Sequence, residues 1–512
     1  MNDSVLFDGD SINSFLFPAE WQPIHFFSLL LQVILNRIIM MKKQTFILSL
    51  LLFSTFAIAK EPLDGLLNNS LLQNANISLL VKDAATNTVV CEYHSKNSIV
   101  PASTMKLVTT ATALELLGAD FRFQTKLELD GLVSADGVLN GNLYIRGGGD
   151  PTLGSEKLGD TTFLTKWVDV IKSSGIHKIN GKVIADAGLF DDEGVNPKWT
   201  WEDMGNYYAA GIYGISYLDN TYRLVLRSGS VGTTPTVLRV VPEIANLKID
   251  NRLVSSTISI DSAYFYGAPH SDYRTVTGEI PANRAEFVTK GDIPNPAQLL
   301  AQHFTSRLIQ NGVVVRDLPT DIVGSASERT TIYTQVSPSL GEIITETNVH
   351  SNNFFAENVF KYLALQNKAV ATNTEAVQVI KSFWKSKGLS VDQLFMYDGS
   401  GLSPSDAVSA QFFVELLSYM QTKSVNKDIF FRSLPVAGEN GTLKSFLLKT
   451  PLQGKVHAKS GTISRVKSYA GYIDTNRQQL VFALLINNPN GSSKAVTKKM
   501  EEFLLQIAAG VK

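Results

Sequence analysis

A serine three residues ahead of a lysine opens the apolar run "PASTMKLVTTATALELLG" at residues 101–118. On a helix, residues i and i+3 share a face, so Ser103 and Lys106 would point the same way. The N-terminal end of such a helix offers unpaired backbone N–H groups and a dipole that favours an anion. A serine needs a base to become a nucleophile, and a lysine serves if burial and neighbouring charge lower its pKa. The spacing alone decides nothing, because it recurs at Ser382/Lys385, Ser424/Lys427 and Ser464/Lys467. Ser382 lies in "KSFWKSKG", beside two further lysines, which reads as a solvated face; Ser424 lies in a polar stretch between helical patterns. Only Ser103 has a strand-like entry, a proline and an apolar helix after it.

Two further strings carry polar groups that could complete such a site. In "VHSNNFFAENVFKYL", Ser351 could relay a proton and Asn353 could bind a substrate amide. The structural reading is that one of them merely caps the helix that follows; Ser-x-Asn also occurs at Ser95–Asn97 and Ser424–Asn426. In "VHAKSGTISRVKSYAGY", Lys459, Ser460 and Thr462 suit a substrate carboxylate, and Gly461 lets another backbone approach closely. Its structural reading is an edge strand carrying a protective lysine. His350 and His457 flank these strings and raise a rival Ser–His scheme, but neither has an obvious carboxylate to orient it.

The elements that must hold these residues lie at the two chain ends. "ISLLVKDAATNTVVCEYHS" reads as a hairpin turning at Asn87-Thr88, followed by a helix over about 103–117 closed by Gly118. "SYAGYIDTNRQQLVFALLINNP" reads strand, turn, strand, and "KAVTKKMEEFLLQIAAG" is an amphipathic helix with Phe503, Leu504 and Ile507 on one side. Together the two ends build one sheet flanked by helices, which brings Ser103 to the C-terminal strands. Between them, over roughly 123–290, short β-like runs such as "FQTKLELDG", "KINGKVIADAG" and "YRLVLRSG" alternate with turns. These predict one or two inserted β-rich domains. Helical patterns return at 295–312, where Asn295-Pro296 can start a helix.

Composition narrows the function classes. The 512 residues are 44% hydrophobic and 18% charged, with 46 basic against 47 acidic residues and a net charge of -1. That balance lacks the basic footprint of a nucleic-acid binder. Cys91, the sole cysteine, cannot close an internal disulfide and sits in a strand-like string, where a small buried apolar role fits. The seven histidines are scattered and no paired Cys-x-x-Cys or His-Glu-x-x-His appears, so no metal or other cofactor is expected. "MKKQTFILSLLLFSTFAIAKEP", starting at Met41, has the basic start, apolar stretch and Ala-x-Ala site of a secretory leader. Residues 1–40 then read as a mis-assigned upstream extension and 41–59 as a cleaved signal peptide. The mature protein is expected to be exported, to the periplasm or wall side of the envelope, with no membrane span.

Ser-x-x-Lys, Ser-x-Asn and Lys-[Ser/Thr]-Gly in this order resemble the signature of penicillin-binding proteins and class A β-lactamases. Over nearly all the mature chain the sequence is similar to the class C low-molecular-mass penicillin-binding proteins, D-Ala-D-Ala carboxypeptidases and endopeptidases of peptidoglycan. "LNGNLYIRGGGDPTL", "WEDMGNYYAAGIYGISYLDN", "MYDGSGLSPSD" and "SLPVAGENGTL" carry that likeness, as do the 245 positions from Lys106 to Ser351, since this class has a large insertion there. The resemblance implies an α/β (α+β) transpeptidase-like domain, an antiparallel sheet between helices, formed by 60–122 and 293–512, with 123–292 inserted. It implies Ser103 as the acylated nucleophile, Lys106 as its base and Ser351 as the donor to the leaving D-alanine. Asn353 would hold the peptide amide, Lys459 supply positive potential, and Ser460 and Thr462 bind the terminal carboxylate beside Gly461. The N–H groups of Ser103 and Thr462 would form the oxyanion hole. Peptidoglycan stem peptides would be the substrate and β-lactams covalent inhibitors; oligomeric state is not legible. Two departures stand out: Lys-Ser-Gly replaces Lys-Thr-Gly but keeps the hydroxyl, and Pro404 replaces an arginine after "DGSGLS". "DGSG" itself, with Asp398, reads as a loop-shaping turn. The alternative is a silent wall-binding or scaffolding protein of the same fold; a β-lactamase would need a deacylating carboxylate that the sequence does not reveal.

Overall fold

The computed structural model describes residues 62–324 and 328–510, with Leu35, Arg37 and Met40. The expected leader at 41–59, and all but those three of residues 1–40, lie outside the described residues.

The two chain ends share one five-stranded antiparallel sheet. Its strands are β1 (Asn76–Asp83), β2 (Val89–Tyr93), β3 (Val456–Ile463), β4 (Val466–Asp474) and β5 (Gln479–Asn487), in the order β2-β1-β5-β4-β3. Leu79 pairs with Leu484, and Lys459 with Ala470. The central strand β5, "QLVFALLIN", is an unbroken apolar run rather than an alternating one, and residues 480–487 are all buried. Such a strand needs cover on both faces, and it has it. On one face the Tyr472 hydroxyl donates to the Leu417 carbonyl of α4 (Ala410–Thr422). On the other, Tyr469 lies beside Thr497 and Glu501 of α5 (Ser493–Gly510), whose Val496, Met500, Phe503, Leu504 and Ile507 are buried. Behind α4, the helices α1 (Lys106–Leu117), α2 (Leu340–Val349) and α3 (Asn353–Tyr362) complete the first core. Cys91 is buried as expected, and burial pushes its thiol up to about 11.

A second core has its own sheets. Strands Gln124–Leu129, Leu143–Arg146, Val183–Asp186, Thr320–Ile322 and Thr330–Val336 form one, and two three-stranded sheets lie within 221–292. The expected boundary at 292/293 falls inside this core. Helix Pro296–Gln310 buries Leu299, Leu300, Phe304 and Leu308 here, with Phe304 edge-on to Trp167 at 5.3 Å. Strand Thr330–Val336 pairs with Gln124–Leu129. The apolar stripe of that helix announces burial without saying against which core. The chain rejoins the first core at Ser337, whose carbonyl accepts from Arg122 and whose hydroxyl accepts from the Phe123 N–H. Among the described residues no helix is long and apolar enough to cross a membrane.

Candidate active site

Ser103 does not sit in the α-helix itself. Pro101 is followed by a 3-10 turn, Ala102–Met105, and α1 begins at Lys106. In a 3-10 turn residues i and i+3 eclipse rather than merely share a face, which brings Lys106 Nζ to 3.0 Å from Ser103 Oγ. Ala102 enters the turn at φ 48°, a left-handed conformation that favours glycine. The surroundings enforce it. A side chain on Gly401 would lie 1.9 Å from the Ala102 carbonyl oxygen, and one on Gly461 2.5 Å from that of Pro101 and 3.0 Å from the Ser103 nitrogen. Two glycines therefore let the "DGSG" loop and the edge strand close on the turn from either side.

Lys106 is wholly buried and donates to three acceptors: Ser103 Oγ, Asn353 Oδ1 at 2.6 Å and the Ser400 carbonyl at 2.8 Å. Burial drives its pKa down to about 7, against the pull of the Glu357 and Asp398 charges. Glu357, on α3, accepts from the Ser400 N–H (2.7 Å) and the Gly399 N–H (3.0 Å), and burial pushes its own pKa up. It thus holds the loop whose carbonyl holds the lysine. Asp398 accepts from the N–H groups of Gly401 and Ser403 and from Trp199 Nε1, which makes it the brace of its own loop.

The cap of α3 is Asn352, whose Oδ1 accepts from the Phe355 N–H. Ser351 and Asn353 are thereby left for other partners. Asn353 Nδ2 donates to the Tyr208 carbonyl, fixing Oδ1 on Lys106. Its two polar atoms are engaged within the protein, where the sequence suggested a substrate amide. Ser351 adopts φ 57° and accepts from Lys459 Nζ at 2.9 Å. A protective edge lysine would reach into water, yet Lys459 is 0% exposed although β3 is an edge strand. It also donates to the Ser460 carbonyl. Burial, then the charge of Lys106, push its pKa well down.

Ser103 and Asn353 open onto a cleft of about 440 Å³ that Gly401, Pro404 and Thr462 also line, together with Glu202, Asp203, Tyr208 and Tyr264. A groove of similar size, about 460 Å³, lies along α2 and holds His350 but none of the three motifs' other residues. His350 is exposed, 3.6 Å from Glu346, and His457 stacks on Phe431. Among the described residues neither histidine hydrogen-bonds Ser103, and no group of three or more His, Cys, Asp or Glu could hold a metal. Glu357 was missed in the sequence, although it lies four residues after Asn353 and so on the same helix face. The carbonyls of Ser400 and Tyr208 carry no sequence signal at all.

A profile of the D-Ala-D-Ala carboxypeptidase 3 (S13) family matches residues 59–509. The chain belongs to that family. It is a low-molecular-mass penicillin-binding protein, a serine D-Ala-D-Ala carboxypeptidase or endopeptidase acting on peptidoglycan. This S13 protein is 28% identical over 456 residues to the D-alanyl-D-alanine carboxypeptidase of Actinomadura sp. (strain R39), covering 84% of this chain and 81% of the other. It is 23% identical to D-alanyl-D-alanine carboxypeptidase DacB of Haemophilus influenzae, over 85% of this chain and 90% of that one. Penicillin binding protein 4 (dacB) of Haemophilus influenzae has the same fold, at TM-score 0.73 and 20% identity, covering 85% of this chain and 96% of the other. The expected α/β architecture, a sheet between helices with a large insertion, is therefore the family's.

Proposed function

We propose that Ser103 is the acylated residue and Lys106 the base that activates it. The observation that carries this is the set of partners around Lys106. Asn353 Oδ1 and the Ser400 carbonyl can only accept, so a neutral amine spends its two N–H bonds on them and turns its lone pair to Ser103 Oγ. Burial supplies the neutral form near pH 7. Ser103 Oγ attacks the carbonyl carbon between the two D-alanines and its proton passes to Lys106. The oxyanion is held by the N–H groups of Ser103 and Thr462. The C–N bond then breaks, and the leaving D-alanine nitrogen takes a proton through Ser351, oriented by Lys459. Water cleaves the ester and restores Ser103. A β-lactam opens its ring amide in the same way but keeps its leaving nitrogen tethered, which blocks the water step.

The substrate is the stem peptide of peptidoglycan, and the carboxylates of Glu202 and Asp203 in the cleft suit a stem that carries an ammonium group. The protein works outside the cytoplasm, in the periplasm or at the wall, with its mature chain starting near Lys60. The catalytic domain draws on both chain ends, and its second segment begins near Ser337, where the chain bonds to Arg122 and Phe123. The test is mass analysis after incubation with benzylpenicillin and with purified muropeptides. One penicilloyl group on the peptide containing Ser103, lost in Ser103→Ala but kept in Ser382→Ala and Ser424→Ala, is the expected result. Labelling that survives in folded Ser103→Ala protein would overturn the assignment, and no adduct on the unaltered protein would favour a scaffolding role.

A further inference from the structure

Lys459 is committed elsewhere. Side chains alternate along a strand, so Lys459 points to the face of β3 opposite Ser460 and Thr462, where it reaches Ser351. The two hydroxyls that suit a terminal carboxylate are thus left without the cation assigned to them from sequence. A different lysine stands on their face. Lys467 of β4 pairs directly with Thr462, as Tyr469 does with Ser460, and directly paired residues of an antiparallel ladder share a face. Its Nζ donates to Thr462 Oγ1 at 2.8 Å. A hydroxyl whose lone pair is taken by an ammonium keeps its own O–H to donate, and Thr462 is exposed in the cleft that holds Ser103.

The ammonium has no carboxylate partner among the described residues. It is half-buried, 5.4 Å from the Tyr469 ring, where a lone cation is poorly solvated. A carboxylate accepting from Thr462 Oγ1 would meet that charge one hydrogen bond away, and Ser460 could join it by turning its O–H from Thr442 Oγ1. We infer that Lys467 is the specificity-determining residue that receives the C-terminal carboxylate of the substrate. The inference rests on Ser103 being the acylated serine, since that places the leaving D-alanine at Thr462. It also divides the labour of the two lysines: Lys459 serves Ser351, and Lys467 serves the carboxylate.

The experiment crosses the enzyme's charge with the substrate's. Lys467→Met, Lys467→Gln, Lys467→Arg and the unaltered protein are assayed on a D-Ala-D-Ala peptide and on the same peptide ending in an amide. Acylation by benzylpenicillin and by its methyl ester runs in parallel. The unaltered protein should prefer each free acid by about tenfold or more in kcat/KM or acylation rate, the range for losing one charged hydrogen bond. The Met and Gln variants should lose that preference by slowing on the acids alone, and Arg should restore most of it. A preference that persists in the Met and Gln variants, or an equal loss on acid and neutral forms, overturns the role of Lys467. If instead the unaltered protein forms no Ser103 adduct with any of the four compounds, the acylation reading beneath it fails.

Discussion

Lys106→Met keeps the unbranched stem of the side chain and removes its charged end, so it reports what a buried ammonium costs the fold. A free lysine titrates at 10.5, and burial brings Lys106 to about 7. At 1.36 kcal/mol per pH unit that lowering amounts to about 5 kcal/mol. The sign follows from which state holds more protons. Between about pH 7 and 10.5 the unfolded chain keeps a proton that folded Lys106 has lost, so stability rises with pH across that window. Below it both states are protonated and the full penalty is present; above it neither is, and the penalty is gone. The methionine variant has no such dependence. The stability of the unaltered protein minus that of Lys106→Met should therefore climb by about 5 kcal/mol from about pH 7 to about pH 10.5. Titrating groups remote from Lys106 cancel between the two proteins. Glu357 and Lys459, by contrast, feel its charge and shift when it is removed, so the comparison is repeated in a Glu357→Gln background to isolate the lysine. Methionine also strands Asn353 Oδ1 and the Ser400 carbonyl, at roughly 1–3 kcal/mol each, but this shifts the whole curve without changing its slope. Parallel urea unfolding of the two proteins across that range is the assay. A difference that stays level to within about 1 kcal/mol would refute the claim that burial neutralises this lysine.

Gly461→Ala should lower acylation by about a hundredfold and cost about 1–3 kcal/mol of stability. The new methyl lies 2.5 Å from the Pro101 carbonyl oxygen and must displace the turn carrying Ser103; stopped-flow labelling with a fluorescent penicillin measures it. Glu357→Ala should destabilise the protein by about 2–6 kcal/mol, because the Gly399 and Ser400 N–H groups lose their acceptors in a buried place. It should also slow acylation at least about tenfold, since the Ser400 carbonyl no longer has its brace; denaturation and labelling of one preparation report both. The acylation rate of the unaltered protein should rise with pH through about 7, as Lys106 loses its proton.

The strands and helices that carry the motifs were legible because each has a strong local pattern. The apolar run of β5, the stripe of α5 and the proline before Ser103 needed no knowledge of the rest of the chain. What escaped the sequence depends on partners far away along it. Lys459 read equally well as an edge charge, and only its burial against Ser351 separates the two readings. Helix Pro296–Gln310 was legible as a helix but not as part of the second core. Glu357 acts on backbone N–H groups some forty residues on, and such donors have no letter in the sequence. Asn352, between two residues singled out for chemistry, turned out to do the ordinary work of capping.

The pairing of β1 with β5 joins residues about four hundred positions apart, such as Leu79 and Leu484. A chain synthesised from its N-terminus exposes Ser103 early, but Asn353, Ser400 and Thr462 arrive much later. The strands of the second core, which lie between Gln124 and Val336, are all made well before that. Loop closure over such distances is slow and cannot precede the last strand. Until then Lys106 lacks its acceptors Asn353 and Ser400, and Ser103 lacks the cleft wall that Thr462 supplies. The strand order therefore couples completion of the cleft to the end of synthesis: Thr462 can line it beside Ser103 only once β5 has paired with β1 and carried β4 and β3 into place.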